Sequence, residues 1–312
     1  MTLKALRLIG TTIFATGAGL ALAQERPGPT VLTPHKVATN VYWVEGGASN
    51  TGFVIGTTGV VAIDAQRSED GVRAEMAAIA KITPKLVDTV IVTHGDPDHV
   101  GGLPAFPAGT AIIAQENTRA VILASAADTS GPPPAVAMYQ KLARGYLPTR
   151  LIGATEKTTV DGVRMELIYV APGHSAGDLI IFLPVQKVVF AGDIVTNNTG
   201  QFPIIHIGGS SLGWIAAVRT ILSLKADTII CGHGALETRA QLQARLHVVE
   251  VRRAAIQAMV LQGKSLAEVN LALPETVVNP MFPSFNQTTY TELTKGYPAE
   301  AKGPWVNLVH KP

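Results

Sequence analysis

The sequence predicts an α+β protein in which two antiparallel-rich sheets face each other with helices on the outside. Three observations carry that prediction. Short apolar runs alternate in groups with helix-patterned segments, and they do so twice along the chain. Hydrophobic residues make up 47% of the chain and charged residues only 15%, which suits a large buried core and argues against long disordered stretches. Several apolar runs end on a histidine or an aspartate where glycine opens the backbone, so polar groups gather at strand ends. With 312 residues, no strong composition break and no short-period repeat, the core reads as one large domain.

The N-terminus is a separate unit. Lys4 and Arg7 precede an apolar run over residues 8–22, and Ala21-Leu22-Ala23 gives the small-x-small pattern of a signal-peptidase site. Residues 1–23 are therefore expected to be a secretory signal cleaved before Gln24, with a periplasmic or secreted mature protein. Loss of Lys4 and Arg7 removes both units of the formal net charge of +2. So little charge argues against a nucleic-acid partner. No later stretch is long and apolar enough to span a bilayer, so no stable membrane insertion is expected after cleavage. Cys231 is the only cysteine, which rules out an intramolecular disulfide and a cysteine-cluster zinc site.

Residues 24–35, with Pro27, Pro29 and Pro34, read as an extended lead-in. Residues 40–44, 52–56 and 60–64 follow as a meander of antiparallel strands separated by glycine-rich turns. Asp64, at the end of the third, is either an orienter of the site or a turn former. Residues 68–81 have a Ser68 cap and Val72, Met76 and Ile79 at helical spacing. Residues 87–92 form a buried strand, and the glycines of Val100-Gly101-Gly102-Leu103 would open a helix packed close behind its end. A strand over 111–114 and a helix over 116–126 come next. Residues 128–134, with three consecutive prolines, read as a loop or lid. Strands at 151–152 and 164–169 flank an Asp161-Gly162 turn, and two more cover 179–183 and 188–192. Ser210 or Ser211 can cap a helix through Leu224, residues 227–232 form a last buried strand, and Thr238 with Gln241 fits a capping box opening a long helix. Residues 241–312 are expected to be this helix and an irregular extension, with Phe282, Phe285, Tyr290 and Tyr297 packed on the body.

One stretch concentrates the chemistry. Thr93-His94-Gly95-Asp96-Pro97-Asp98-His99-Val100-Gly101-Gly102 sets two histidines and two carboxylates at the end of the 87–92 strand. Gly95 and Pro97 deny those residues a helix or a continued strand, so their side chains sit on a turn. Three later strand ends carry matching groups: His174, Asp193 and His233. Neutral imidazoles and carboxylates suit a borderline divalent ion, and seven such groups are too many for one tetrahedral ion. They suit two ions sharing a bridging carboxylate. His206, in the loop after Asp193, reads first as a packing or surface histidine and second as a substrate contact.

On these residues the chain resembles the metallo-β-lactamase superfamily, over about residues 36–240. Its usual pattern is His-x-His-x-Asp-His, then a distant His, a bridging Asp and a final His. The resemblance implies an αββα four-layer sandwich with the site at one edge and the Gly46–Asn50 stretch as a hairpin over it. It implies that His94 and His174 hold one metal, Asp98, His99 and His233 the other, with Asp193 between them. The departure is Asp96, where the pattern has histidine. It can still reach the first metal, and its extra negative charge predicts weaker Lewis acidity and better tolerance of iron or manganese beside zinc. The implied activity is a secreted two-metal hydrolase of a small molecule. Its metal-bound hydroxide, oriented by Asp98, would cleave an amide, ester, lactone or thioester, β-lactams among them. Alternatives are a phosphodiesterase or sulfatase-type hydrolase, and a di-iron redox protein similar to the flavodiiron core.

Overall fold

In the computed structural model residues 32–297 are described, apart from 171, 198, 199 and 207. The expected signal segment, most of the lead-in and residues 298–312 lie outside the described residues. The strands separate into two sheets because their runs must be covered on both faces. β1 (Thr33–Ala38), β2 (Val41–Glu45), β3 (Thr51–Ile55), β4 (Val60–Ile63), β5 (Val87–Ile91), β6 (Ala111–Gln115) and β7 (Arg150–Ile152) form one sheet in sequence order. β8 (Glu156–Val160), β9 (Val163–Ile168), β10 (Ile180–Leu183), β11 (Val188–Phe190) and β12 (Thr228–Ile230) form the other, in the order β12-β11-β10-β9-β8.

Alternation along single strands builds the layers. In β4, Val61 and Ile63 face the second sheet, where Met165, Leu167, Ile181 and Phe190 meet them, while Val60 and Ala62 face the helices. The helices over the first sheet are α1 (Glu69–Ala80), α2 (Pro97–Val100), α3 (Glu116–Ala127) and α4 (Pro133–Gly145). Over the second lie α5 (Ser211–Ser223), α6 (Arg239–Leu261), α7 (Leu266–Ala272) and α8 (Phe285–Lys295). This is the expected αββα order. The sheets are more mixed than expected: β1 to β4 pair antiparallel, but β4 to β7 pair parallel, as do β11 and β12. Parallel pairing fits strands that are apolar on both faces and joined by helical crossovers.

Several expectations need correction. The lead-in is strand from Thr33, with Pro34 tolerated because β1 is an edge strand. Pro97 does not deny a helix but starts one: its fixed φ suits the first helical position, so α2 begins there and ends where a helix was expected to open. The same effect turns the proline run into the start of α4, with Pro133 and Pro134 in its first turn. The described part of the C-terminal region, through residue 297, holds two further helices where an irregular extension was expected, because Ser265 with Glu268 forms a capping box and Ser284 caps α8. Phe285, Phe282 and Tyr290 do pack on the body.

Candidate metal centre

The carboxyl ends of β4, β5, β9, β11 and β12 meet at one edge of the sandwich, because the parallel pairs β4–β5 and β11–β12 point the same way. Asp64 ends β4 with a left-handed φ of 65°, a backbone state that a non-glycine residue adopts at a cost. Its carboxylate accepts from the Thr93 amide at 2.7 Å and from Thr93 Oγ1 at 2.8 Å. His99 Nδ1 lies 2.9 Å from Asp64 Oδ2, and His94 Nδ1 lies 3.0 Å from Thr93 Oγ1. Only Nδ1–H can serve Asp64, so the Nε2 lone pair of His99 is left facing the site. Asp64 is thus an orienter of two histidines, one directly and one through Thr93.

The opening motif is held by close backbone. Asp96 is the N-cap of α2, yet its side chain makes no capping bond and turns instead toward the histidines. Tyr139 of α4 donates to the Gly95 carbonyl at 2.9 Å. A Cβ on Gly102 would fall 2.2 Å from the Ala65 carbonyl oxygen, so only glycine lets the chain pass there. Gly46 and Gly47 both have positive φ, Gly47 packs against Gln66, and Ser49 donates to the Asp98 carbonyl at 2.6 Å. Asn50 donates to the carbonyls of Cys231 and Gly234 at 2.9 and 2.7 Å, which ties this hairpin to the turn that carries His233. Asp178 shapes the turn before β10 by accepting from the amides of Gly173, His174 and Ser175. His174 Nδ1 donates to the Ile204 carbonyl at 2.8 Å, leaving its Nε2 for the site.

All seven residues expected at the site come together. His94, Asp96 and His174 form one cluster and Asp98, His99 and His233 another, each with its ligand atoms within 4.8 Å of one another. Within the first, Asp96 Oδ2 lies 3.5 Å from His94 Nε2 and 3.2 Å from His174 Nε2. Asp193 lies between the clusters: Oδ1 is 3.2 Å from His99 Nε2, and Oδ2 is 3.2 Å from His233 Nε2 and 3.8 Å from His174 Nε2. His206 is also here, its Nε2 2.8 Å from Asp96 Oδ2, so the surface reading of it does not hold. The side chains of His233 and Asp98 are 29% and 14% exposed while those of His94, His174 and Asp96 are 1%, 3% and 9% exposed, so the second cluster is the more open to solvent.

The donor set fits divalent ions. His94 Nε2, Asp96 Oδ1, His99 Nε2 and Asp193 Oδ1 are buried and complete no hydrogen bond. His99 Nε2 and Asp193 Oδ1 are near neighbours at 3.2 Å but not aligned for a hydrogen bond with each other. Each orphan costs about 1–3 kcal/mol, so four of them around two points call for cations. Burial alone would push Asp96, Asp98 and Asp193 up, but the facing imidazoles outweigh it and hold all three carboxyls below their usual range. Burial would push the histidines down, yet the carboxylates raise His174 to about 10 and His233 to about 9, and lift His99 well above its ordinary value. Behind the site, Thr51 donates to buried Glu75 at 2.8 Å; burial first, then the Asp64 charge, raises Glu75 to about 8.

Asp64, Thr93 and Asp178 have no metal-ligand spacing of their own. Asp64 was read as a candidate because it ends a strand; Thr93 and Asp178 were not read as part of the site, although an Asp four residues beyond a Gly-His pair can close a turn.

Residues 37–233 match the metallo-beta-lactamase superfamily. The chain is 30% identical over 219 residues to the alpha subunit of a 2,4-dinitroanisole O-demethylase from Nocardioides sp., a match spanning 68% of this chain and 61% of that subunit. It is 22% identical over 211 residues to a linear primary-alkylsulfatase from Pseudomonas sp., covering 56% of this chain and 39% of that one. It thus spans less than two thirds of the length of these curated relatives, 61% of the first and 39% of the second. Among solved structures, the stereoselective inverting sec-alkylsulfatase Pisa1 from Pseudomonas sp. superposes with a TM-score of 0.65 at 18% identity, over 90% of this chain and 52% of that one. The matched span holds the strand-end residues from His94 to His233 within an αββα sandwich, and the chain belongs to the metallo-beta-lactamase superfamily.

Proposed function

We propose that the protein is a two-metal hydrolase that cleaves a carbon–oxygen or sulfur–oxygen bond in a small ether or ester, with water as the second substrate. The observation that carries the two-metal reading is the pair of ligand clusters meeting at Asp193, with four buried polar atoms that complete no hydrogen bond there. The choice of bond rests on the relatives, which are named for O-demethylation and alkyl sulfate cleavage.

His94, Asp96 and His174 would hold the first ion and Asp98, His99 and His233 the second, with Asp193 shared; zinc is the first candidate, iron or manganese the alternatives. Two bound ions would supply Lewis acidity and a water of lowered pKa. The chain's own residues do the rest. Asp64, through His99 and Thr93, and the Ile204 carbonyl, through His174, fix three imidazoles in the tautomer that leaves Nε2 free. Asp98 is partly exposed at the open side; with one oxygen facing His233, it can orient a water there. Arg67 stands 4.0 Å from Asp98 at the mouth, where its guanidinium can attract an anionic or nitro-bearing substrate. Residues 1–23 are proposed as a cleaved secretory signal, residues 36–240 as the catalytic domain, and residues 241–312 as an extension packed on it; N-terminal sequencing of exported protein checks the cleavage.

The deciding experiment loads the purified protein with zinc, iron or manganese in turn. Each form is then assayed against a nitrophenyl methyl ether, an alkyl sulfate, a phenyl ester, a lactone, a phosphodiester and a chromogenic β-lactam in oxygen-18 water. The expected result is metal-dependent turnover of the ether or the sulfate with label from water in one product. Turnover of the β-lactam alone would overturn the proposed bond class, and oxygen consumption without label from water would overturn hydrolysis.

A further inference from the structure

The superfamily pattern would place a histidine where Asp96 stands, and another histidine occupies the space beside it. His206 comes from the loop before α5, yet its Nε2 lies 2.8 Å from Asp96 Oδ2 and 3.1 Å from His174 Nε2. The two rings meet edge to face at 4.6 Å. The position of His206 is built rather than incidental. Its amide donates to the His174 carbonyl at 2.8 Å, its carbonyl accepts from Gly209 at 2.9 Å, and its ring lies against Phe282 at 4.8 Å. His174 spends its Nδ1 proton on Ile204, so a neutral His174 turns a lone pair toward His206 Nε2. Two donors each about 2.1 Å from one ion and at a right angle are roughly 3.0 Å apart. The separations among Asp96 Oδ2, His174 Nε2 and His206 Nε2, from 2.8 to 3.2 Å, have that size.

We infer that His206 is a further ligand of the first metal position, returning to it the imidazole that Asp96 displaces. The first position is then held by His94, Asp96, His174 and His206, with Asp193 shared, and the second keeps its three groups and its opening to solvent. The inference rests on the two-metal reading above.

The test measures metal content, chelator competition and the visible spectrum of the cobalt(II)-loaded full chain for the wild type, His206→Gln and His206→Ala. Gln keeps an N–H that can serve Asp96 but removes the imidazole. Circular dichroism of the metal-free proteins checks folding, and should His206→Ala fail to fold, His206→Gln carries the comparison alone. In both variants the affinity for one of the two equivalents should fall more than fivefold, about tenfold or beyond, with altered cobalt bands and the other equivalent unchanged. If His206→Gln stays within fivefold of the wild type with the wild-type spectrum, His206 is only a hydrogen-bond partner of Asp96 and the inference falls. A wild-type protein that takes up no metal would overturn the two-metal reading itself, and with it this inference.

Discussion

Asp64 shows how one residue can govern several others. Its two oxygens serve the Thr93 amide and hydroxyl and the His99 ring, and through Thr93 the His94 ring. Asp64→Asn puts an N–H₂ where at least one donor needs an acceptor, so metal affinity should fall about 10- to 100-fold in a chelator competition while the fold survives. Gly232 sets the other side: a Cβ there would lie 1.9 Å from Asp193 Oδ1. Gly232→Ala should therefore displace Asp193 and bring bound metal below two equivalents by elemental analysis. Glu75 gives a prediction with a sign. It keeps its proton in the folded protein up to about pH 8, whereas the unfolded chain releases it near the ordinary glutamate value of 4.5. The unfolded state binds fewer protons across that window, so this residue's contribution makes stability fall as pH rises from 4.5 to 8, and it changes no further above that. The stability of Glu75→Gln relative to the wild type should then grow between pH 5 and pH 8.5, by on the order of a few kcal/mol, in urea unfolding of the metal-free proteins. The proposed metal-ligand residues were legible because they recur at strand ends beside glycine. His206 was legible only as a second-choice substrate contact, because nothing in its loop's sequence encodes that the loop folds back over His174.

Among the elements, those with strong internal signals were the legible ones. The Ser68 cap starts α1, and the Thr238–Gln241 capping box starts α6. α4 and α8 escaped for opposite reasons: prolines that read as loop are the first turn of α4, and α8 owes its place to tertiary contact. Phe285 of α8 is 2% exposed, stacks on Phe202 at 5.3 Å, and so braces the loop that carries Ile204 and His206. Phe285→Ala should cost about 3–5 kcal/mol in denaturant unfolding. The C-terminal helix is thus coupled to the centre through packing, a link that periodicity alone cannot reveal.

At the scale of the whole molecule, the sandwich was legible because apolar runs without alternation demand cover on both faces. The parallel pairing was not, because a buried strand looks the same in either direction; only the connections decide it. Each proposed metal position draws residues from both sheets: His94 to His99 follow β5, while His174, Asp193 and His233 follow strands of the second sheet. An ion bound there would bind the folded state alone, so chelation should lower the melting temperature. At a free metal concentration a thousandfold above Kd, the stabilisation lost is about 4 kcal/mol per site.

The division of ligands between the sheets also bears on how the molecule could be taken apart and put back. The short connection from β7 to β8 separates a fragment with His94, Asp96, Asp98 and His99 from one with His174, Asp193, His206 and His233. Neither fragment carries the whole of either coordination set. A chain nicked between Ile152 and Glu156 would therefore behave as a split protein whose complementation responds to metal, with the ion acting as the clasp between two otherwise incomplete halves.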